Sequence, residues 1–174
     1  MGLDVGASLI IPQVKGGFVT VDVFYFRKCY SLSRTLHEFS LKFKDYAENL
    51  EYDGEYGLTL NLKENRFTAA VMLSGMADIL EEEVAAFKTQ RNEINWEENK
   101  FEPESIWDIG RYMNHANSDA FKTWGLVLYL QNRIKFETFL DIIGNYVDDI
   151  NYEFNEHPEN YDLENMKVEF YYSY

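Results

Sequence analysis

Residues 7–27 read ASLIIPQVKGGFVTVDVFYFR, and this stretch decides the fold class. Two runs rich in β-branched and aromatic residues, 7–12 and 17–27, flank Lys15-Gly16-Gly17, which supplies turn chemistry, so the pair reads as a β-hairpin. In the second run Phe18, Val21, Val23, Phe24, Tyr25 and Phe26 leave almost no polar face, which predicts a central strand covered on both sides.

Immediately downstream the period changes from two to about 3.6. Ser31 reads as an N-cap, and Leu32, Leu36, Phe39, Phe43 and Tyr46 form one stripe of an amphipathic helix reaching about Asn49. Leu58, Leu60 and Leu62, then Phe67, Ala69 and Val71, alternate across a polar turn and predict a second hairpin over 57–73. Ser74 then caps a helix carrying Met76, Ile79, Leu80, Val84 and Phe87 to about Arg91. The polar, acidic stretch 92–104 reads as a loop between subregions 1–91 and 105–174. A short helix starts at Ser105, residues 124–130 (WGLVLYL) read as a buried strand, and Phe139, Ile143, Ile150 and Phe154 mark a helix over 136–155. Residues 167–174 (KVEFYYSY) read as a terminal strand. The expectation is a single α+β domain: a mostly antiparallel sheet of five or six strands with three or four packed helices.

Composition excludes several classes of function. The 174 residues contain 30 acids and 16 bases, a formal charge of −14, yet 46% are hydrophobic and 17% aromatic, too much apolar surface for a disordered acidic tail. The charge argues against a direct grip on nucleic acid or an anionic membrane, since both need Lys and Arg. No apolar run reaches 18 residues, so no transmembrane helix is expected. The start of the chain lacks the basic region of a signal peptide, and the single cysteine, Cys29, cannot form an internal bridge, so a cytoplasmic setting in a host cell is expected.

The charge is uneven along the chain. Residues 1–44 carry a net +3 and residues 45–174 a net −17. Between Phe136 and Met166 stand nine acids and no Lys or Arg. Either this run is solvated surface that keeps the protein dissolved, or it recognises a basic partner. The residues that would carry such recognition are Asp141, Asp148, Asp149, Glu153 and Glu156, with Glu81, Glu82 and Glu83 second. Late tyrosines (Tyr152, Tyr161, Tyr171, Tyr172, Tyr174) suit a protein-recognition surface, because Tyr gives a large contact at low entropic cost.

No catalytic set is readable, and neither a metal nor another cofactor is expected. His37, His115 and His157 stand apart, with no HExxH or Cys/His zinc spacing. The glycines form no phosphate-binding loop, and Ser74-Gly75 lacks the surroundings of a nucleophile elbow. The loop 155–165 lacks the order and glycine of an EF-hand, and Cys29 reads as an ordinary semi-buried thiol.

Met1-Gly2-Leu3-Asp4, Tyr25-Phe26-Arg27-Lys28 and Leu36-His37-Glu38-Phe39 resemble segments of small phage and prophage proteins of unknown function that open with MGLD and carry a YWRK segment followed by a histidine and an aromatic. Phe26 stands where those proteins have Trp, and the resemblance covers the first 40 residues. It implies a mobile-element origin and transfers no catalytic residue.

Together these readings lead to the expectation of a non-enzymatic acidic phage or mobile-element protein that inhibits a basic host nucleic-acid-handling defence protein, in the manner of anti-CRISPR and DNA-mimic proteins. A bacterial immunity protein against a basic nuclease toxin is the first alternative. An enzyme of unrecognised class using scattered carboxylates is the second.

Overall fold

A computed structural model describes residues 4–27, 29–45, 48–52, 55–93, 103–144 and 148–173. The elements run β1 (Asp4–Pro12), β2 (Phe18–Arg27), α1 (Tyr30–Lys42), β3 (Glu48–Tyr52), β4 (Glu55–Asn61), α2 (Leu62–Glu93), α3 (Pro103–Leu130), α4 (Phe136–Ile143), α5 (Asp148–Glu156), two 3-10 turns (Pro158–Asn160 and Leu163–Asn165) and β5 (Lys167–Ser173). The fold is α+β. Its antiparallel sheet has the order β2-β1-β5-β4-β3, so the last strand of the chain lies in the middle.

The hairpin at 7–27 forms as its turn chemistry requires, with Gly16 at φ 97° and Gly17 at φ 86°, conformations that cost glycine little. Its second strand is an edge strand, not the central one its composition predicts. The register slips between Ala7 and Ser8: Ala7 faces Phe24 and Ser8 faces Asp22, leaving Val23 as an extra residue. This bulge reverses the alternation, so Val21 and Val23 are buried before it, and Phe24 and Phe26 after it. The missing polar face is therefore a change of phase. α3 packs against this edge, where the Tyr25 amide donates to the Asp119 carboxylate at 3.2 Å. A helix thus covers part of the row of backbone groups that an edge strand otherwise exposes.

One sheet face is the core: Val5, Ala7, Leu9 and Ile11 of β1, Leu58 and Leu60 of β4, and Val168, Phe170 and Tyr172 of β5 are all buried. Leu32 and Leu36 of α1 and Leu73, Met76 and Leu80 of α2 join the same cluster. The helix α1 ends at Lys42, well short of Asn49, and Cys29 rather than Ser31 occupies its N-cap; Tyr46 lies outside the described residues. Ser31 instead donates its hydroxyl to Glu83 at 3.0 Å.

Two expected strands are helical. Residues 62–73 open α2, whose start is marked by Asn61, its side chain accepting the Lys63 amide at 2.9 Å. The alternating Phe67, Ala69 and Val71 belong to a helical pattern in which Ala69, Ala70, Leu73, Met76, Ala77 and Leu80 are buried. Ser74, expected as a cap, is interior. Residues 124–130 close the long helix α3, in which Leu126, Val127 and Leu130 are buried. The single helix expected over 136–155 is two, α4 and α5. Most of the expected loop 92–104 lies outside the described residues.

The corner after α3 is built by Asn132, the one described non-glycine residue at positive φ (59°). The Asn132 amide donates to the Tyr129 carbonyl at 3.0 Å and the Arg133 amide to the Leu128 carbonyl at 2.9 Å, the paired bonds of a Schellman stop. Arg66 of α2 completes the end. Its guanidinium donates to the carbonyls of Leu130 (2.8 Å) and Tyr129 (2.5 Å) and lies 4.4 Å from the Tyr129 ring centre.

Candidate functional site: acidic surfaces on α5 and α2

The acidic helix α5 is held by its one buried aromatic. Phe154 packs edge-on to Phe136 of α4, ring centres 5.0 Å apart, and against Tyr161 at 5.6 Å. With Phe154 inward, Tyr152, Glu153 and Glu156 are outward; Tyr152 is 71% exposed. Tyr152 and Glu156 are one turn apart and share a face. Asp141 is exposed on α4 and accepts a long hydrogen bond from Asn151 of α5 at 3.5 Å, which places it on the Asn151 side of that helix, about 200° around the axis from Glu153. Asp148 and Asp149 open α5; their side chains lie outside the described residues.

Charge neutralisation decides whether this surface is available. Among the described residues, no Lys or Arg pairs with Asp141, Glu153 or Glu156. Among the described residues of the base-free run, Glu164 forms an ion pair with Lys63 at 2.7 Å and Glu159 lies 3.3 Å from the His157 imidazole. His157 and the turn geometry hold the Glu159 carboxyl below its usual range, the backbone hydrogen bond being the larger cause.

The second acidic group is divided by the helix that carries it. Glu81 accepts the Trp124 indole N–H of α3 at 2.9 Å. Glu83 faces the start of α1, accepting from Ser31 at 3.0 Å and from the Cys29 thiol at 3.7 Å. Glu82 is exposed. Consecutive helical residues diverge by about 100°, so the three carboxylates do not form one patch.

The late tyrosines also separate. Tyr161 and Tyr172 are buried, Tyr161 with its hydroxyl close to Glu153, Tyr171 lies half-buried on the outer sheet face, the side chain of Tyr174 is outside the described residues, and Tyr152 is exposed beside the α5 carboxylates. Tyr172 receives or donates a 3.0 Å hydrogen bond with His37, which accounts for that histidine structurally. Burial pushes the Cys29 thiol above its ordinary value, with Ser31 opposing the shift and Glu83 adding to it. That is the environment of an inert thiol.

Asp119 is the residue that sequence reasoning misses. It is 1% exposed, lies 2.9 Å from the Lys122 ammonium and 3.5 Å from His115, and accepts the Tyr25 amide. His115, Asp119 and Lys122, at spacings of four and three, share one helix face, a legible signal; the strand that meets them is 94 residues away in the chain. The arrangement fastens α3 to the sheet.

Among the described residues, no group of three or more His, Cys, Asp or Glu is placed to hold a metal ion, and no helix is long and apolar enough to cross a membrane. A cleft of about 340 Å³ between α2 and α3 is lined by Glu81, Val84, Lys88, Phe121 and Trp124, among others, and a second of about 530 Å³ opens at the α3–α4 corner. Comparison with protein families, with curated proteins and with solved structures gives no match to the chain.

Proposed function

We propose that this chain is a non-enzymatic acidic binding protein of phage or mobile-element origin, which occupies the basic surface of a host nucleic-acid-handling defence protein and inhibits it. The observation that carries the reading is the acidic surface of α4 and α5: Tyr152, Glu153 and Glu156 are exposed on α5 and Asp141 on α4, with no Lys or Arg pairing these carboxylates among the described residues. Unpaired carboxylates repel one another and lower stability, so a surface that keeps them gains through what it meets. An adjacent tyrosine supplies the apolar contact that charge alone lacks. Electrostatic complementarity of this kind speeds association and selects against acidic partners.

The test begins with immobilised protein and host lysate at low and high salt, the retained proteins being identified and then purified. A basic nucleic-acid-binding partner whose activity falls on titration supports the reading, provided that Asp141→Lys/Glu153→Lys/Glu156→Lys weakens binding at least tenfold. Undiminished binding by this variant refutes the assigned surface. A toxin nuclease as the retained partner would make the protein an immunity protein using the same face.

A further inference from the structure

We propose that the cleft at the α3–α4 corner binds a small phosphate-bearing molecule. Three of its lining side chains are cations, Arg66, Arg133 and Lys135, against one acid, Glu137. The cleft therefore holds a local formal charge of +2 in a molecule of −14. None of the three cations pairs with a carboxylate among the described residues.

The backbone fixes this convergence. Arg66 is anchored by the Tyr129 and Leu130 carbonyls at the negative end of α3, which offset part of its charge without a carboxylate, so Arg133 and Lys135 supply the freer cations. The left-handed Asn132 turns the chain so that Arg133 and Lys135 follow immediately at the mouth. Lys135 is also the N-cap of α4, and its side chain caps nothing. Tyr129 and Phe136 give the cleft an apolar wall.

Size and charge select the ligand class. The cleft is about 530 Å³ and wide open to solvent, which suits the phosphate end of a small molecule more than an enclosed ligand. A nucleic-acid polymer would have to run beyond the cleft over acidic surroundings, whereas a small phosphate compound would not. At physiological salt, interactions are screened beyond roughly 8 Å, so acids elsewhere on the chain weigh little on a ligand seated among the cations; the adjoining acids are Glu137 in the lining and Asp162 and Glu164 on either side of Leu163, Glu164 being paired with Lys63. Two sources share this chemistry: a free polyphosphate, or a nucleotide whose base lies on the apolar wall.

The test is amide-resolved NMR of the full chain, titrated with pyrophosphate, ADP and sulfate at matched ionic strength. Saturable shifts centred on residues 133–138 with pyrophosphate or ADP, at least tenfold weaker in Arg133→Gln/Lys135→Gln, support the site. Both substituted residues are exposed, so the variant keeps its fold, which its remaining amide spectrum verifies. ADP binding at least tenfold tighter than pyrophosphate assigns a nucleotide; comparable or weaker ADP binding assigns a free phosphate compound. Absence of saturable shifts, affinity unchanged in the double variant, or sulfate binding equal to both phosphates would overturn the proposal. The outcome is independent of the α5 surface.

Discussion

The carboxylate of Asp119, in the middle of α3, accepts the main-chain N–H of Tyr25 on the edge strand β2 at 3.2 Å, and it is 1% exposed. A helix carboxylate therefore serves as part of the strand's missing neighbour. Lys122, 12% exposed and 2.9 Å away, compensates the buried charge and also reaches the Asp22 carbonyl at 3.5 Å. Removing the carboxylate takes a charge partner from the nearly buried Lys122 and the acceptor from the Tyr25 amide, a loss of about 3 kcal/mol or more. Asp119→Ala is thus expected to lower unfolding free energy by about that amount in urea denaturation. Asp119→Asn keeps an acceptor for Tyr25 and is expected to cost less. Equal stability of all three proteins would show that the clamp does not hold the helix to the sheet.

Alkaline stability follows from two tyrosines. Tyr171 is pushed up to about 12, chiefly by burial and then by the nearby acids Asp22, Asp4 and Glu169 together with Tyr25. Tyr161 is likewise pushed up to about 12 by burial, with the Glu153 carboxylate adding to the effect; its hydroxyl makes no hydrogen bond of normal geometry. The folded state holds these protons after the unfolded chain, whose tyrosines titrate near 10.0, has lost them. Stability that is fully present below pH 10 is therefore lost as pH rises toward 12, by on the order of 2 kcal/mol per residue. Tyrosinate absorbance should show late-titrating groups in the fold that merge with the rest in urea, and Tyr171→Phe should remove one of them. A single step near pH 10 in the native protein would contradict the assignment.

The existence of the hairpin at 7–27, the first helix and the terminal strand was legible in the sequence, from turn chemistry at Gly16-Gly17 and from apolar periodicity, whereas the phase of β2 and both ends of α1 were not. Residues 62–73 were misread because Phe67, Ala69 and Val71 alternate within what is a helical pattern, and 124–130 for a different reason. Short apolar runs such as WGLVLYL fit a buried strand and a helix packed on several sides equally well. Which wins depends on neighbours: Gly125 within this run leaves room for α4, where an added Cβ would stand 3.1 Å from Ile142. The edge position of β2 was hidden by a single bulged residue, Val23. The acidic character of α5 was readable as composition, whereas the diverging partners of Glu81 and Glu83 and the role of Asp119 depend on contacts 43, 52 and 94 residues apart.

On the outer sheet face the register places Gly57, Tyr171, Gly6 and Tyr25 in one row across four strands. The Tyr171 ring lies over Gly6: a Cβ there would overlap its Cζ and hydroxyl and stand 2.9 Å from the Phe24 carbonyl oxygen. Gly6→Ala is expected to cost about 1–3 kcal/mol through overpacking, read from urea midpoints. Pairing it with Tyr171→Ala should recover part of the loss but not all, since the carbonyl is backbone and stays. Full recovery in the double variant would locate the strain in the ring alone.

The stop of α3 separates two contributions that are usually confounded, turn geometry and charge. Asn132 sits at φ 59°, a region that costs a residue with a Cβ about 1 kcal/mol unless a short polar side chain eases it. Asn132→Ala should therefore destabilise by about 1 kcal/mol, and Asn132→Gly by no more than a few tenths. Arg66 acts on the same carbonyls through charge, donating two hydrogen bonds to the helix's negative end while packing on Tyr129. Arg66→Ala should cost about 2 kcal/mol, given that hydrogen bonds from charged groups contribute about 1.5–3 each before solvation of the freed carbonyls. Arg66→Lys restores the charge but not the fork, so it should recover less than half of that loss. Thermal or urea unfolding of the four variants checks the set. An Arg66→Lys protein as stable as the parent would mean that the positive charge, and not the paired geometry, secures the end of α3.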